Sequence, residues 1–137
     1  MMDYLVVANQ TLGGAQLIEA LRRRVRDGPS RFHVVVPATV DSAGWTTTED
    51  QAHVVAQERL QQAIARFKEL GAEVDGQVGD ARPLDAMQDA LRRWPCDEII
   101  LSTLPAGASR WLRMDLVSRA TRTFAIPVTH VEAAEAP

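Results

Sequence analysis

Short apolar segments alternate along the chain with longer segments that have helical periodicity. The apolar segments cover residues 3–8, 31–37, 72–79, 97–103 and 126–132. The first, second and fourth are almost continuous runs of valine, isoleucine and leucine, which are typical of parallel strands covered on both faces. In the third and fifth, apolar and polar residues alternate more strongly, which indicates strands at the edges of a sheet.

Four amphipathic segments separate these strands, and their ends carry recognisable start and stop signals. The first ends at Gly28 and Pro29, a glycine at the stop with a proline just beyond it. The longest begins near Thr48, which has the spacing of a capping box with Gln51, and it ends at Gly71. The predicted helices cover residues 13–27, 48–71, 82–94 and 112–124.

Strands and helices that alternate throughout predict an α/β fold with a parallel sheet. We expect a single-domain, doubly wound, five-stranded parallel sheet of order 3-2-1-4-5 with helices on both faces. The predicted domain covers residues 1–132, and residues 133–137 form a short flexible C-terminal tail. In this order strands one and four are neighbours at the switch point. The crevice above their carboxyl ends is therefore the expected ligand site.

Composition excludes several classes of protein. The net charge of −3 gives no electrostatic support for nucleic-acid binding. The single cysteine, Cys96, cannot form an intrachain disulfide, which fits a reducing cytoplasm. The first residues lack the basic start of a signal peptide, and no apolar run approaches the length of a membrane span. We therefore expect a cytoplasmic protein with no nucleic-acid or membrane partner.

Polar side chains follow the first and fourth strands at the expected crevice. Ser109 and Arg110 at the start of the last helix are suited to holding a small anion. Alternatively, Ser109 only caps that helix, and Arg110 and Arg113 are solvated or pair with Asp115 or Glu132. Thr11 is likewise either a ligand contact or the cap of the first helix. The candidate ligand-binding residues are Asn9, Gln10, Thr11, Pro37, Ser102, Thr103, Gly107, Ser109 and Arg110.

The remaining reactive or unusual residues do not form a known motif. Trp45, in the long loop from Pro37 to Asp50, either stacks on a base or covers the crevice, or it packs on the sheet edge or in a subunit contact. The three histidines and Cys96 lack the spacing of a metal site, so we expect no metal ligands and no catalytic residues. Within the basic run of residues 22–26, Arg22, Arg23 and Arg26 are expected to form a solvated helix face.

The order of the elements resembles that of the universal stress protein family. The residues that carry this resemblance are Val78-Gly79-Asp80 at the start of a helix, the run 96–103, and the run 125–131 with its Pro127-Val128 pair. The resemblance covers nearly the whole chain. It implies a small regulatory or binding module without catalytic activity, which forms a homodimer through the last strand.

The chain departs from this family at the residues that bind ATP. ATP-binding members carry two glycines after strand four and a later Gly-Ser or Gly-Thr pair. Counting back from Pro127 places that pair on Met114 and Asp115 and the earlier glycines near Leu101 and Leu104, whereas the loop's only glycine is Gly107. Asn9 stands where the family often has aspartate.

The usual phosphate loop is therefore missing, and the first hypothesis is a binding module that lacks it. The alternative is a protein that binds an adenine nucleotide (AMP, ATP or adenosine) in the crevice between strands one and four. A nucleotide hydrolase or transferase is the least supported class, because the sequence shows no general base, metal cluster or activated nucleophile.

Overall fold

A parallel sheet of five strands forms the centre of the structure. The structure is a computed structural model and describes residues 1–39 and 48–134. The order in the sheet is β3-β2-β1-β4-β5 and every pairing is parallel, which confirms the predicted fold and the predicted edge strands. The strands are β1 (Met2–Val7), β2 (Ser30–Pro37), β3 (Glu73–Gly79), β4 (Glu98–Thr103) and β5 (Val128–Glu132).

Helices cover both faces of the sheet. They are α1 (Ala15–Asp27), α2 (Glu49–Lys68), α3 (Pro83–Arg93), α4 (Arg110–Arg113) and α5 (Leu116–Thr123). The predicted capping box of α2 is present, since Thr48 Oγ1 accepts from the Gln51 amide at 3.1 Å and Gln51 Oε1 accepts from the Thr48 amide at 3.0 Å. Across residues 1–39 and 48–134, no helix has the length and apolar character needed to cross a membrane.

Successive side chains of the central strands enter two separate apolar cores. On the face covered by α1 and α2, Val6 and Val34 pack with Leu17, Leu60 and Phe67. On the face covered by α3, α4 and α5, the core includes Leu5, Val7, Val35, Ile99, Leu101, Met87, Trp111 and Leu116. Burial on both faces explains why these strands read as continuous apolar runs.

The last predicted helix, residues 112–124, is in fact two helices. The short α4 ends at Arg113, and α5 begins at Leu116 after Asp115, whose backbone is left-handed with φ of 57°. Asp115 is the only residue other than glycine with positive φ in the described ranges. The prediction of one helix was wrong because the intervening residues carry no glycine or proline, and aspartate is one of the few residues that tolerate this conformation.

A close approach between α2 and the sheet occurs at Gly76 in β3. A Cβ atom at this position would lie 2.5 Å from the Val34 carbonyl oxygen and 2.7 Å from Leu60 Cδ1. Both distances are far below van der Waals contact. Only glycine therefore allows Leu60 to reach the backbone of the edge strand.

Glu98, the first residue of β4, forms hydrogen bonds with α1 and with β5. Arg24 Nη2 donates to Glu98 Oε2 at 2.7 Å, the Arg24 and Glu98 side chains are each 18% exposed, and the Thr129 hydroxyl donates to the same carboxylate. Burial raises the pKa of Glu98, but the bonds from Arg24 and Thr129 outweigh burial and hold that pKa below its ordinary value.

Candidate ligand-binding site

A crevice opens at the switch point, above the carboxyl ends of β1 and β4. Its walls enclose about 480 Å³, including the part that is open to solvent. It is lined by Asn9, Gln10, Thr11, Thr39, Ser102, Thr103, Leu104, Ala108, Ser109, Arg110 and Trp111. Most of these residues are polar and one is a cation, which suits a small polar or anionic ligand.

The crevice is polar where β1 and β4 lie side by side. Thr11 Oγ1 and Ser102 Oγ are 2.6 Å apart and share a hydrogen bond, and both residues are buried. The prediction that Thr11 caps the first helix was therefore wrong. The N-cap of α1 is Gly14, which supplies no side-chain bond. Thr11 instead fastens the loop after β1 to the end of β4.

Asn9 is held on three sides, and its partners determine the orientation of its amide. Nδ2 donates to the Pro37 carbonyl at 2.7 Å and to Thr39 Oγ1 at 2.9 Å, while Oδ1 accepts from Arg59 Nη1 of α2. A backbone carbonyl can only accept and a guanidinium can only donate, so only one orientation of the amide satisfies both. Asn9 thus joins the ends of β1 and β2 to α2.

The other wall of the crevice is formed by the segment after β4. Ser109 is buried and its Oγ accepts from the Leu112 amide at 3.1 Å, which is the geometry of an N-cap. Arg110 lies one residue further on and lines the crevice, whereas Arg113 does not. In the described ranges Asp115 pairs with Arg122 at 3.8 Å, and Glu132 accepts from the Ala106 amide.

Seven of the predicted candidate residues line the crevice, and two do not. Pro37 contributes its carbonyl to Asn9, and Gly107 lies in the exposed turn before Ser109 with φ of 92°. Thr39, Leu104, Ala108 and Trp111 also line the crevice but were not among the candidate ligand-binding residues. Thr39 could have been predicted as a lining residue, because it follows the end of β2, the strand next to β1. No local signal in the sequence indicates that Arg59 bonds Asn9.

Asp115 lies outside the crevice lining, with its side chain 65% exposed. Its left-handed backbone is the conformation that favours glycine. Counting back from Pro127 places the glycine of the family's Gly-Ser or Gly-Thr pair on Met114, so Asp115 lies one residue after that position. Leu104, at another of the missing glycine positions, does line the crevice. Trp45 lies outside the described residues.

His33, His130 and Cys96 have hydrogen-bond partners within the fold. His33 is buried, and its two ring nitrogens face carboxylates of Asp75 and Asp3. His130 Nε2 lies 2.8 Å from the Thr103 hydroxyl. Burial, together with nearby carboxylates, raises the pKa of the Cys96 thiol to about 12, so the thiol is protonated at neutral pH. In the described part of the chain, no three histidine, cysteine or acidic residues form a group that could hold a metal ion.

Solved structures with the same arrangement cover almost the whole chain. The universal stress protein of Archaeoglobus fulgidus has a TM-score of 0.64 and 19% identity, over 96% of this chain and 93% of that protein. The fold is that of the universal stress proteins. A universal stress protein of Arabidopsis thaliana with AMP bound has a TM-score of 0.66 and 8% identity, over 98% of this chain and 93% of that one.

Two further structures of universal stress proteins contain nucleotides. The Archaeoglobus fulgidus protein in complex with dAMP has a TM-score of 0.62 and 19% identity, over 96% of this chain and 98% of that one. A universal stress protein in complex with cAMP has a TM-score of 0.59 and 13% identity, over 97% of this chain and 98% of that one. No protein-family model matches the chain, and no curated protein matches it in sequence.

Proposed function

We propose that the chain is a small regulatory binding module without catalytic activity, which holds an adenine nucleoside monophosphate in the crevice between β1 and β4. The observation that carries this proposal is the crevice itself, at the switch point, with buried Asn9, Thr11 and Ser102 on one side and Arg110 on the other. Ligands bind at this position in open α/β sheets.

The ligand class is supported by the structures with the same fold. Universal stress proteins have been solved with AMP, dAMP and cAMP. The crevice of this chain offers hydroxyl groups for a ribose and one arginine for a phosphate. We propose a monophosphate rather than a triphosphate because Leu104 occupies the wall where ATP-binding members of the family are expected to have glycine.

Isothermal titration calorimetry with adenosine, AMP, cAMP, ATP and GMP tests the proposal. We expect AMP to bind more tightly than adenosine, because Arg110 adds a charge-assisted hydrogen bond to the phosphate. GMP is the control for recognition of the base. Absence of binding by every adenine ligand at millimolar concentration would refute the proposed function.

A pair of arginine variants tests the assignment of Arg110. Arg110→Gln removes the cation that lines the crevice, and Arg113→Gln removes an exposed cation from the same helix. We expect Arg110→Gln to weaken AMP binding by about tenfold and to leave adenosine unchanged. Arg113→Gln should change neither. Equal losses in the two variants would contradict the role of Arg110.

We also propose that the module is a cytoplasmic homodimer formed through β5. This strand pairs with β4 on one side, and in the described ranges no strand pairs with its other side. Unpaired backbone groups on an edge strand are suited to pairing with a second copy. Light scattering coupled to size-exclusion chromatography tests this, and a monomer at every concentration would contradict the dimer.

A further inference from the structure

A second cavity lies between α2 and the loop from Asn9 to Gly13. It encloses about 520 Å³, including its opening to solvent, and it shares Asn9 and Gln10 with the crevice. The rest of its lining consists of Leu12, Gly13, Arg59, Gln62, Ala63 and Arg66, and we name this cavity the basic pocket.

Helical spacing brings two arginines of α2 into this pocket. Arg59 and Arg66 are seven residues apart, with Gln62 and Ala63 between them on the same face. Arg59 donates to Asn9 Oδ1 at one end of the pocket. Arg66 Nη1 lies 3.5 Å from where a Cβ atom on Gly13 would be, so the guanidinium lies against the loop at van der Waals distance.

The charge of these two arginines is not neutralised by nearby carboxylates. Among the described residues, none that lines the pocket is acidic. Within residues 1–39 and 48–134, neither Arg59 nor Arg66 has a carboxylate oxygen within 4.0 Å, whereas three arginines of α1 lie around Glu19. Asn9 is a neutral partner for Arg59. Two uncompensated guanidinium groups in one concavity form a site for an anion.

We propose that the basic pocket binds a phosphoryl group between Arg59, Arg66 and the loop at Gly13. Each guanidinium carries five N–H donors in a planar fork that matches phosphate oxygens. The helix that follows Gly13 has no acidic residue in its first turn and no side-chain cap, so its positive end adds to the same field. The phosphoryl group comes either from inorganic phosphate and its chains or from a nucleotide in the crevice whose phosphate lies on the Asn9 side instead of at Arg110, and only the second source rests on the proposed function.

Calorimetric titration of pyrophosphate, AMP and adenosine into three forms of the full chain tests this. The forms are the unchanged protein, Arg66→Gln and Lys68→Gln. Arg66 is the residue to change because Arg59 also holds Asn9 in place. Lys68 is the matched control, since it is an exposed cation two residues away on α2 and does not line the pocket.

We expect Arg66→Gln to weaken binding of phosphate-containing ligands by about tenfold, as for the loss of one charge-assisted hydrogen bond. Adenosine binding should not change. A loss for AMP identifies the nucleotide as the source of the phosphoryl group, and a loss for pyrophosphate alone identifies free polyphosphate. Both results support the pocket.

The proposal is overturned if Arg66→Gln and Lys68→Gln behave alike with both pyrophosphate and AMP, because binding would then reflect only overall charge. It is also overturned if neither ligand binds the unchanged protein. Failure of adenosine and AMP to bind, with pyrophosphate bound through Arg66, would refute the proposed function and leave the basic pocket intact.

Discussion

Replacing Asn9 by aspartate tests the network that joins β1, β2 and α2. The substitution keeps the shape of the side chain but replaces the Nδ2 donor with a carboxylate oxygen. That oxygen would face the Pro37 carbonyl, which now accepts from Nδ2 at 2.7 Å. The family resemblance predicts that aspartate suits this position, whereas the hydrogen bonds of this chain predict that it does not.

The size of the effect follows from the contacts that are lost and gained. Leaving the buried Pro37 carbonyl without its donor costs about 1–3 kcal/mol. The new charge pair with partly exposed Arg59 returns about 1 kcal/mol or less. We expect Asn9→Asp to lower the free energy of unfolding by about 1–2 kcal/mol, which corresponds to roughly 4–8 °C in Tm for a chain of this size.

Urea denaturation, monitored by circular dichroism, measures this difference in the free energy of unfolding. Gln57→Glu is the control, because it makes the same change from amide to carboxylate at an exposed position of α2. The control should change stability by less than about 0.5 kcal/mol. If Asn9→Asp is as stable as the unchanged protein, or falls no further than Gln57→Glu, then the amide of Asn9 does not have the partners described above.

Two further substitutions test the scaffold of the site. Glu98→Gln should cost about 2 kcal/mol at pH 7, between the values for exposed and buried ion pairs. The pKa of Glu98 is lowered in the folded protein, so its contribution to the free energy of unfolding is complete above the unfolded pKa and is lost as pH falls through the folded pKa. The denaturation curves of the two proteins should therefore converge in acid. A difference in stability that does not change with pH would contradict this. Asp115→Ala should cost about 1 kcal/mol, and Asp115→Gly close to none, since φ is 57°. Equal losses in thermal unfolding would refute a left-handed conformation at this position.

The fold could be predicted from the sequence because its signals are local and repeated. Valine and isoleucine runs mark the buried central strands, and the spacing of Thr48 and Gln51 marks the start of α2. The position of the crevice follows from the strand order, since parallel strands direct their carboxyl ends to one edge. Side chains just after β1 and β4 therefore reach the site.

What could not be predicted depends on contacts between distant residues. The hydroxyl of Thr11 has several possible partners, and its choice of Ser102, 91 residues away, depends on the register of the finished sheet. Arg59 reaches Asn9 only because α2 packs at a particular depth against the sheet. The turn at Asp115 gives no composition signal, because local propensity alone favours continuing the helix through it.

Gly76 in the edge strand β3 has a consequence for both cavities, although it lines neither. A Cβ atom there would lie 2.5 Å from the Val34 carbonyl oxygen and 2.7 Å from Leu60 Cδ1, so we expect a larger residue to displace β3 or α2. Leu60 is the neighbour of Arg59 in α2, so an outward shift of this helix would draw the Arg59 guanidinium away from Asn9. We therefore expect a substitution at Gly76 to change the width of the candidate site from a strand two positions away from β1 in the sheet. A screen for altered affinity should recover substitutions at Gly76, and engineering of the pocket can begin there without changing a lining residue.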